Sequence, residues 1–410
     1  MAQVCDLSEV GSWALTVSSQ FELDEMAESC TVINGSLMIG ANYTGSFYLP
    51  NLRIITGELS WFTNRQDPLN PREPSPTTID LPDLEHVGNE VAFRTLSSLT
   101  KFSAPRLQTV GFSVGLGHAA EVDLRALQEV EYFSYSGNIS SLRLDSLREV
   151  RRELSICNKE PCERNVVPDK ALDLSLPSLE MAGEIDIDGR YSSLSMPQLR
   201  NLTGGEYLQG HFSIDTSGEE VLHLSFPKLS HMTPSMGVRG PIGIFSMPSM
   251  KKLATSLHLD TSEDLNITLP FEEASSVTLA GNLTGVQFPN LKSWGSLQVY
   301  SSLPMDCGAL WESLSTVTDT TEKDNQLICH AAEKPRSPGL STDAKVGIGV
   351  GVGVLVLIIA AAAAWHVLKR RKRTEAVKSE SNIHLDETLP TYGEVRSQDH
   401  PPEYASTVSR

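Results

Sequence analysis

Two aspartates, two residues apart, are the side chains of this sequence best suited to acid–base chemistry. Asp186 and Asp188 belong to the segment EIDIDG, whose alternation of polar and apolar residues predicts a strand with both carboxylates on one face. Enzymes that cleave polysaccharides need two or three carboxylates, or a carboxylate with a basic partner, on such a face. No neighbouring segment repeats the acidic pair, and the zinc-hydrolase motif HExxH does not occur. We therefore predict a solvated strand face, a non-enzymatic protein, and no cofactor or metal.

Six cysteines fall into three pairs that are close in the sequence. Six cysteines allow 15 pairings in principle, and short loops close at the lowest entropic cost. The spacing therefore favours the disulfides Cys5–Cys30, Cys157–Cys162 and Cys307–Cys329. Free thiols or a zinc site are the alternatives, and the lack of a CxxC pair argues against zinc.

Six Asn-x-Ser/Thr sequons lie in the same part of the chain as the cysteines. Their asparagines are Asn34, Asn42, Asn138, Asn201, Asn266 and Asn282. Cysteines and sequons together indicate a secretory route. Residues 1–345 hold 25 basic and 44 acidic residues, whereas residues 369–410 hold eight basic and seven acidic ones. An acidic body of this size argues against nucleic acid as a partner.

A run of 23 uncharged residues, 346–368, precedes five consecutive basic ones. As a helix the run would span about 35 Å, enough to cross a bilayer core. The basic residues that place the following chain in the cytosol are Lys369, Arg370, Arg371, Lys372 and Arg373. We predict a single-pass plasma-membrane protein with an extracellular N-terminus. The opening segment MAQVCDLSEV lacks the apolar core of a signal peptide, so we expect the true start to lie upstream.

The glycines of this run have several interpretations. Gly347, Gly349, Gly351 and Gly353 make two overlapping GxxxG pairs, which let two helices approach closely and favour a homodimer. A glycine-rich composition gives the same spacing without any dimer. A phosphate-binding loop requires a polar helix after the glycines, and a lipid-anchor signal requires the apolar stretch to end the chain. Neither condition holds, because apolar residues and then 42 further residues follow.

Before the membrane segment, one short phrase recurs at intervals of 19 to 32 residues. It reads apolar residue, often Pro, any residue, then Leu, and it occurs at LPNL (49–52), LPDL (81–84), APRL (104–107), LRAL (124–127), LDSL (144–147), LPSL (176–179), MPQL (196–199), FPKL (226–229), MPSM (247–250), LPFE (269–272) and FPNL (288–291). A short alternating stretch that predicts a strand follows most copies. A unit of about 20 residues with one strand and a buried Leu is the coil of a solenoid.

The predicted fold class is therefore all-β: a parallel β-helix or leucine-rich-repeat-like solenoid. We assign residues 1–48 to an N-terminal cap and first coil, 49–305 to the repeats, and 306–345 to a C-terminal cap and stalk. The transmembrane helix (346–368) and a disordered cytosolic tail (369–410) follow. Three long intervals predict inserted loops at 64–78, 157–170 and 205–220, which serve either as a binding face or as tolerated surface length.

The segment that begins VSSQFELDEMAESCTVINGSLMIG carries a resemblance to known proteins. A Cys followed by I-x-G-x-L-x-I and then by LPxLxxIxG resembles the receptor L-domain repeat. More closely, residues 5–330 resemble the fungal cell-wall-organisation glycoproteins of the extracellular-mutant family. The resemblance implies a right-handed parallel solenoid, heavy N-glycosylation and a role in wall integrity. The chain departs from the usual member, which carries a lipid anchor in place of a membrane helix and tail.

Two tyrosine motifs mark the tail, which is polar and interrupted by prolines. Their key residues are Leu389, Pro390 and Tyr392, and then Pro401, Pro402 and Tyr404. Pro-Pro-x-Tyr in an extended segment fits the aromatic groove of a WW domain, and a second motif adds avidity. The tail resembles those of membrane cargo bound by WW-domain ubiquitin ligases, with Lys369, Lys372 and Lys378 as acceptors. A proline-rich tail without a reader is the alternative.

These features predict a non-enzymatic surface glycoprotein for cell-wall organisation and integrity. Its outer part would contact a wall polysaccharide or a surface protein, and its tail would recruit a WW-domain ubiquitin ligase or adaptor for sorting or turnover. The alternative is a single-pass receptor that binds a surface ligand and signals through tail adaptors. A carbohydrate-active enzyme that uses Asp186 and Asp188 is the third hypothesis.

Overall fold

The computed structural model describes residues 3–6, 13–61, 73–159, 162, 170–204, 210–315, 326–333 and 355–370. The chain divides into two units, Met1–Lys334 and Pro335–Arg410. The first unit is a stack of parallel strands in successive coils, which confirms the predicted β-solenoid.

Thirty strands and two helices make up the described part of the first unit. In chain order they are β1 (Val4–Asp6), β2 (Ala14–Val17), α1 (Gln20–Ser29), β3 (Val32–Asn34), β4 (Ser36–Ile39), β5 (Thr44–Tyr48), β6 (Ile54–Ile55), β7 (Leu59–Trp61), β8 (Ser75–Asp80), β9 (His86–Val87), β10 (Glu90–Phe93), β11 (Lys101–Ser103), β12 (Thr109–Val110), β13 (Ser113–Gly117), β14 (Glu121–Asp123), β15 (Glu129–Ser136), β16 (Ser141–Arg143), β17 (Glu149–Asn158), β18 (Leu172–Ser175), β19 (Met181–Gly189), β20 (Tyr191–Ser195), β21 (Asn201–Leu202), β22 (His211–Thr216), β23 (Leu222–Ser225), β24 (His231–Met232), β25 (Ser235–Gly240), β26 (Ile242–Ser246), β27 (Lys252–Thr268), β28 (Glu273–Gln287), β29 (Ser293–Ser301), α2 (Cys307–Ser315) and β30 (Gln326–Ala331).

The strands form three faces. The short face contains β1, β3, β6, β9, β12, β21 and β24, and the first residues of β15, β17, β19, β27, β28 and β29. The long face contains β2, β4, β7, β10, β13, β22, β25 and β30, and the later residues of those same long strands. The third face contains β5, β8, β11, β14, β16, β18, β20, β23 and β26, and the ends of β27 and β28. Register shifts in β15, β17 and β27 mark the bend between the short and long faces.

The recurring phrase is the corner between the third face and the short face. In the copy at 81–84 the amide of Leu84 donates to the carbonyl of Leu81, and the copies at 104–107 and 196–199 repeat this bond. The bond closes a β-turn, in which Pro is favoured at the second position because its φ is fixed near the required value. The turn directs its first and fourth side chains inward, which explains why both are apolar.

The core is a continuous apolar column inside the coils. It includes both apolar ends of ten phrases, and the residues three positions further on, from Ile55 to Leu253, are also buried. The phrase at 269–272 departs from this pattern, since Leu269 and Phe271 are buried there instead. Each buried Leu contributes roughly 1.5–3 kcal/mol of transfer free energy. No coil can enclose these side chains alone, so the stacking of neighbours is what stabilises each coil.

A second column of inward residues lies where the long face turns into the third face. Glycines with positive φ alternate there with buried polar residues: Gly137, Asn158, Gly189, Thr216, Gly240, Thr261, Gly281 and Ser301. A Cβ atom at Gly281 would overlap the carbonyl oxygen of Thr261. The column therefore needs glycine in alternate coils so that adjacent corners can touch. We call it the corner column.

Each end of the solenoid carries a helix and a disulfide. Cys5–Cys30 closes the segment that contains α1, and Ser19 caps this helix by accepting a hydrogen bond from the amide of Glu22. Cys307–Cys329 links the start of α2 to β30. The two disulfides at the ends pair as predicted, and the two short helices are an addition to the all-β prediction.

Two of the predicted insertions were too long. Strand β8 begins at Ser75, so the proline-rich insertion at 64–78 ends earlier than predicted. Residues 211–216 form β22 on the long face, although the whole of 205–220 was predicted to be a loop. The segment HFSIDT has a clear alternation, but the long interval before the next phrase obscured it. Of the third predicted insertion, residues 160–161 and 163–169 lie outside the described residues.

In the second unit the structure describes one helix, residues 355–370, which covers the later part of the predicted membrane span. Residues 346–354, with the four glycines, lie outside the described residues. Among the residues that are described, no helix has both the length and the apolarity needed to cross a membrane. The span at 346–368 stays a prediction.

Candidate functional site

The outward side chains of the long face form three columns that run from coil to coil. The first column contains Glu90, Ser113, Tyr132, Glu153, Glu184, His211, Ser235 and Ser256. The middle column contains Ala92, Gly115, Ser134, Ser155, Asp186, Ser213, Gly237 and His258. The third column contains Gly117, Ser136, Cys157, Asp188, Asp215, Arg239 and Asp260. Small residues dominate the middle column. The longer side chains in the two outer columns therefore border a shallow groove.

The register of the coils gathers five carboxylates in the centre of this face. Glu184 lies directly beside Glu153, and Asp188 lies directly beside Asp215. Asp186 lies between these pairs, on the same strand as Glu184 and Asp188. Adjacent strands are about 4.8 Å apart, so like charges oppose each other at short range. We call these five residues the acidic cluster.

Lysine, arginine and histidine side chains lie close to part of the acidic cluster. The Nζ atom of Lys159 lies 2.7 Å from Oδ2 of Asp188, and the Lys159 side chain is only 3% exposed. Nδ1 of His211 lies 3.4 Å from Oε2 of Glu184. Arg239 lies between Asp215 and Asp260, with 3.8 Å from a guanidinium nitrogen to each carboxylate. Asp186 forms neither an ion pair nor a hydrogen bond with the described residues.

Burial and like charges change the proton affinity of two members of the acidic cluster. Burial raises the pKa of Asp186 above its ordinary value, and the nearby carboxylates of Asp188 and Asp215 add to this, while His211 and Lys159 act in the opposite direction. Burial also raises the pKa of Glu153, with a further contribution from Glu184. A carboxyl group with a raised pKa is a better proton donor near neutral pH than an ordinary one.

The loop between Cys157 and Cys162 supplies Lys159. The two Sγ atoms and a carboxylate oxygen of Asp188 lie within 4.8 Å of one another, a grouping that could hold a metal ion. The cysteines form a disulfide, however, so neither offers the thiolate that a metal would require. The disulfide instead holds the loop that brings Lys159 to Asp188.

Aromatic rings lie at two places on the long face. The rings of Phe112 and Tyr132 are in edge contact, with their centroids 5.3 Å apart, and Phe112 is 45% exposed. The guanidinium of Arg152 lies 5.7 Å from the centroid of Tyr132. Towards the C-terminal end, Tyr300 stacks on His330 with a centroid distance of 5.8 Å. Exposed rings of this kind offer flat surfaces to a ligand.

One segment matches the G-x-S-x-G spacing of serine hydrolases, which the sequence reasoning did not single out. It is Gly111-Phe112-Ser113-Val114-Gly115. The hydrolase motif requires a sharp turn from a strand into a helix that exposes the serine. Ser113 is instead the first residue of strand β13, and its hydroxyl donates to Oε2 of Glu90 at 3.2 Å. The match therefore does not form a nucleophile.

The predicted disulfides and sequons lie on the solenoid as follows. All three disulfides pair as predicted, and the described residues contain no free cysteine. Asn34, Asn42, Asn138 and Asn266 are exposed, and Asn201 and Asn282 are half-buried. Asn34 and Asn201 lie on the short face, and the other four lie on the third face or at its corners. None of these six asparagines belongs to the three outward columns of the long face.

The predicted tail motifs belong to the last 40 residues, 371–410. The residues Leu389, Pro390, Tyr392, Pro401, Pro402 and Tyr404 lie outside the described residues, as do Arg371, Lys372, Arg373 and Lys378. Lys369 and Arg370 end the helix at 355–370, where Nζ of Lys369 lies 4.7 Å from the centroid of the Trp365 ring.

Sequence reasoning found Asp186 and Asp188 but missed their neighbours. Neither neighbouring coil repeats the acidic pair, as predicted, since Ser155 and Cys157 lie on one side and Ser213 and Asp215 on the other. Asp215 was missed because it lies in a segment predicted to be a loop. Glu153 and Glu184 were overlooked because they lie in the first outward column, and their pairing depends on the register between two strands. A signal was present in the sequence: the alternating stretches RELSIC, GEIDID and GHFSID align once each is treated as a strand.

Comparison with known proteins yields no relative. No family model matches the sequence, and no curated protein or solved structure is similar to it at a significant level. The resemblance to the receptor L-domain and to fungal wall glycoproteins stays a prediction from the repeat and its capping cysteines.

Proposed function

We propose that the protein is a non-enzymatic surface glycoprotein that contributes to cell-wall organisation and integrity. The observation that carries the proposal is the disulfide-capped solenoid with six sequon asparagines at its surface. Disulfides persist in oxidising compartments, and sequons are used on the secretory route. A long rigid stack of coils offers an extended surface, which suits contact with a polymer or a large surface protein.

The proposal includes a membrane span at 346–368 and a cytosolic tail that regulates how long the protein stays at the surface. The uncharged run and the five basic residues that follow it support the span. Pro401, Pro402 and Tyr404, with the upstream motif at Leu389, Pro390 and Tyr392, support recognition by the WW domain of a ubiquitin ligase. The glycines at 347–353 support a homodimer through the span.

Gene deletion followed by complementation tests this function. One complementing gene encodes the full chain behind a signal peptide, and the other stops after Arg373. Growth is measured under wall stress, and the surface level of each protein is measured in parallel. We expect the deletion to sensitise cells, and the truncated protein to restore growth and to accumulate at the surface. If the truncated protein reaches the surface but fails to restore growth, the receptor alternative replaces the proposal.

The acidic cluster favours a second candidate, a carbohydrate-active enzyme. Five carboxylates on one sheet face, of which two have raised pKa values, meet the requirement for paired acids. The double variant Asp186→Asn with Asp188→Asn tests it by complementation. Full rescue by this variant supports the non-enzymatic proposal. Loss of rescue with unchanged surface level and folding supports the enzyme only if the purified wild-type protein also cleaves a polysaccharide and the variant does not.

A further inference from the structure

The arrangement of the sequons leaves one face of the solenoid open. The two sequon asparagines on strands of the short face are Asn34 and Asn201, and the remaining four lie on the third face or its corners. A glycan is bulky and hydrated, so it obstructs the face that carries it. The long face, with its three outward columns, is therefore the face that glycosylation leaves free for a partner.

The groove of the long face runs along the solenoid axis, across the strands. Its floor is the middle column, where Ser134, Ser155, Ser213 and Gly237 are small and Asp186 lies among them. The side chain of Arg94 lies over Gly115. The aromatic pair Phe112–Tyr132 lies towards its N-terminal end, and Tyr300 with His330 lies towards its C-terminal end. From β15 to β29 there are seven steps between neighbouring strands, or about 34 Å at the usual spacing. The groove therefore suits a linear polymer and not a compact ligand.

The charge of the groove selects the kind of polymer. Its outward columns contain seven carboxylates between Glu90 and Asp260, and among the described residues Lys159, Arg239 and His211 pair with four of them. Arg94 is a further cation close to Glu153. The surplus is negative, and in the case of Glu153–Glu184 and Asp188–Asp215 the like charges lie directly opposite each other. Such pairs are destabilising in a sheet. Lys159, His211 and Arg239 offset part of this repulsion, whereas Glu153 and Asp186 form no ion pair with the described residues and would accept cations laid along the groove.

We propose that the long face binds a cationic amino-sugar polysaccharide, a polymer of glucosamine units, laid along the groove. Ammonium groups on the sugars would pair with the carboxylates that follow one another from coil to coil. The exposed rings of Phe112 and Tyr300 would stack on the apolar faces of the sugar rings and attract their ammonium groups. This inference rests on the proposed function and names the wall component that the solenoid would contact.

Other polymers match fewer of these features. A polyanion, whether nucleic acid or an acidic polysaccharide, is repelled by the surplus of carboxylates. A neutral glucan could stack on the rings, but it offers no charge to Glu153 and Asp186, which form no ion pair with the described residues. A basic protein segment would satisfy the charges, and it becomes an outcome of the test.

The test measures binding of sugar hexamers to the full-length glycosylated protein in mild detergent. The probes are a glucosamine hexamer, an N-acetylglucosamine hexamer and a neutral glucose hexamer, at about pH 6, where amines are largely protonated and carboxylates mostly ionised. We expect the glucosamine hexamer to bind at least about tenfold more tightly than the other two, with an affinity that falls as salt increases. Equal binding of the three hexamers, or no binding of the first, overturns the proposal.

Matched variants distinguish the groove from a general attraction of an acidic protein for cations. Glu184→Gln with Asp186→Asn removes two charges from the groove, and Glu25→Gln with Glu28→Gln removes two from the exposed side of α1. Phe112→Ala removes an aromatic ring from the long face, and Tyr48→Ala removes one from the third face that is equally exposed, 46% against 45%. We expect about a tenfold loss of affinity for each groove variant and no change for each control. Equal losses in groove and control variants overturn the proposal.

Two further outcomes keep the inference separate from the proposed function. A basic peptide that competes fully with the hexamer and binds more tightly would replace the polysaccharide with a protein partner. If deletion of the gene sensitises cells to wall stress but no hexamer binds, the proposed function stands and this inference fails. If the hexamer binds but deletion leaves wall stress unchanged, the binding surface stands and the proposed function fails.

Discussion

At the residue scale, the ion pair between Lys159 and Asp188 joins two neighbouring coils. The Lys159 ammonium is almost completely buried, whereas the Asp188 side chain is 24% exposed. Tyr191 links the same two coils, since its buried hydroxyl donates to the carbonyl oxygens of Ile156 and Asp188. A buried cation needs a partner, because an unpaired charge in a low dielectric is strongly destabilising.

Asp188→Ala should therefore lower the free energy of unfolding by about 2–3 kcal/mol, since it leaves the Lys159 ammonium unpaired. Chemical denaturation of the purified protein measures the change. Asp186→Ala is the matched control, because Asp186 lies on the same strand and forms no ion pair with the described residues. The interpretation fails if both variants lose the same stability.

A second residue-scale prediction concerns the pH dependence of stability. Burial raises the pKa of Asp186 in the folded state above its value in the unfolded chain. The folded state therefore holds the proton more tightly, and the contribution of Asp186 to stability is lost as pH rises from the ordinary aspartate pKa through the raised one. Asp186→Asn should remove this loss and stabilise the protein near pH 7 by a few tenths to about 1 kcal/mol. Melting temperatures of the wild type and the variant are measured at about pH 4 and about pH 7. If the melting temperatures of both proteins change by the same amount between these pH values, the interpretation is wrong.

At the element scale, the corner column decides how adjacent coils fit. Thr261 makes several bonds there: its hydroxyl donates to the carbonyl of Ile242 at 3.0 Å and accepts from the amides of Ile242 and Glu263. Thr216 occupies an equivalent position two coils earlier, but its hydroxyl has no hydrogen-bond partner among the described residues. The two threonines are thus a natural comparison of a satisfied and an unsatisfied buried hydroxyl.

We expect Thr261→Val to cost about 2 kcal/mol, because it leaves the buried amides of Ile242 and Glu263 without their acceptor. Thr216→Val should be neutral or slightly stabilising, since valine has the same shape and removes a hydroxyl that makes no bond. Urea titration of the two variants measures the difference. Similar losses for both would show that packing, and not hydrogen bonding, sets the stability of this corner.

At the scale of the whole molecule, the solenoid behaves as a stack whose ends are its weakest parts. Each coil contacts mainly its neighbours, so an end coil has a partner on one side only. The disulfides Cys5–Cys30 and Cys307–Cys329 close loops with sequence separations of 25 and 22, whereas Cys157–Cys162 spans only 5. In the chain-entropy view, the longer loops contribute more to stability.

Replacing both Cys307 and Cys329 with serine should cost about 3 kcal/mol and open the C-terminal coils first. Hydrogen exchange should show faster exchange in β29 and β30 than in β17 and β19. The double replacement of Cys157 and Cys162 is the control, with a smaller loss of about 2 kcal/mol that centres on the Lys159 loop. Uniformly faster exchange along the whole solenoid would contradict the end-coil interpretation.

Much of this architecture follows from local features of the sequence. The spacing of the proline–leucine phrase determines the coil, because a turn with two inward apolar ends can only be buried by neighbouring turns. The short separations within each cysteine pair determine the disulfides, since short loops close most readily. The six sequon asparagines follow in the same way from three-residue patterns.

Tertiary structure alone decided how distant side chains meet. The acidic cluster depends on the register between strands that are about 30 residues apart, and a shift of one residue would turn those carboxylates to the other face. The strand at 211–216 became recognisable only when paired with its neighbours, because its isolated alternation competes with a long, irregular interval. The corner column likewise needs the stacked coils, since a glycine is required only where the neighbouring carbonyl actually lies. Sequence thus determined the repeating unit, and the contacts between units determined the surface that a partner would meet.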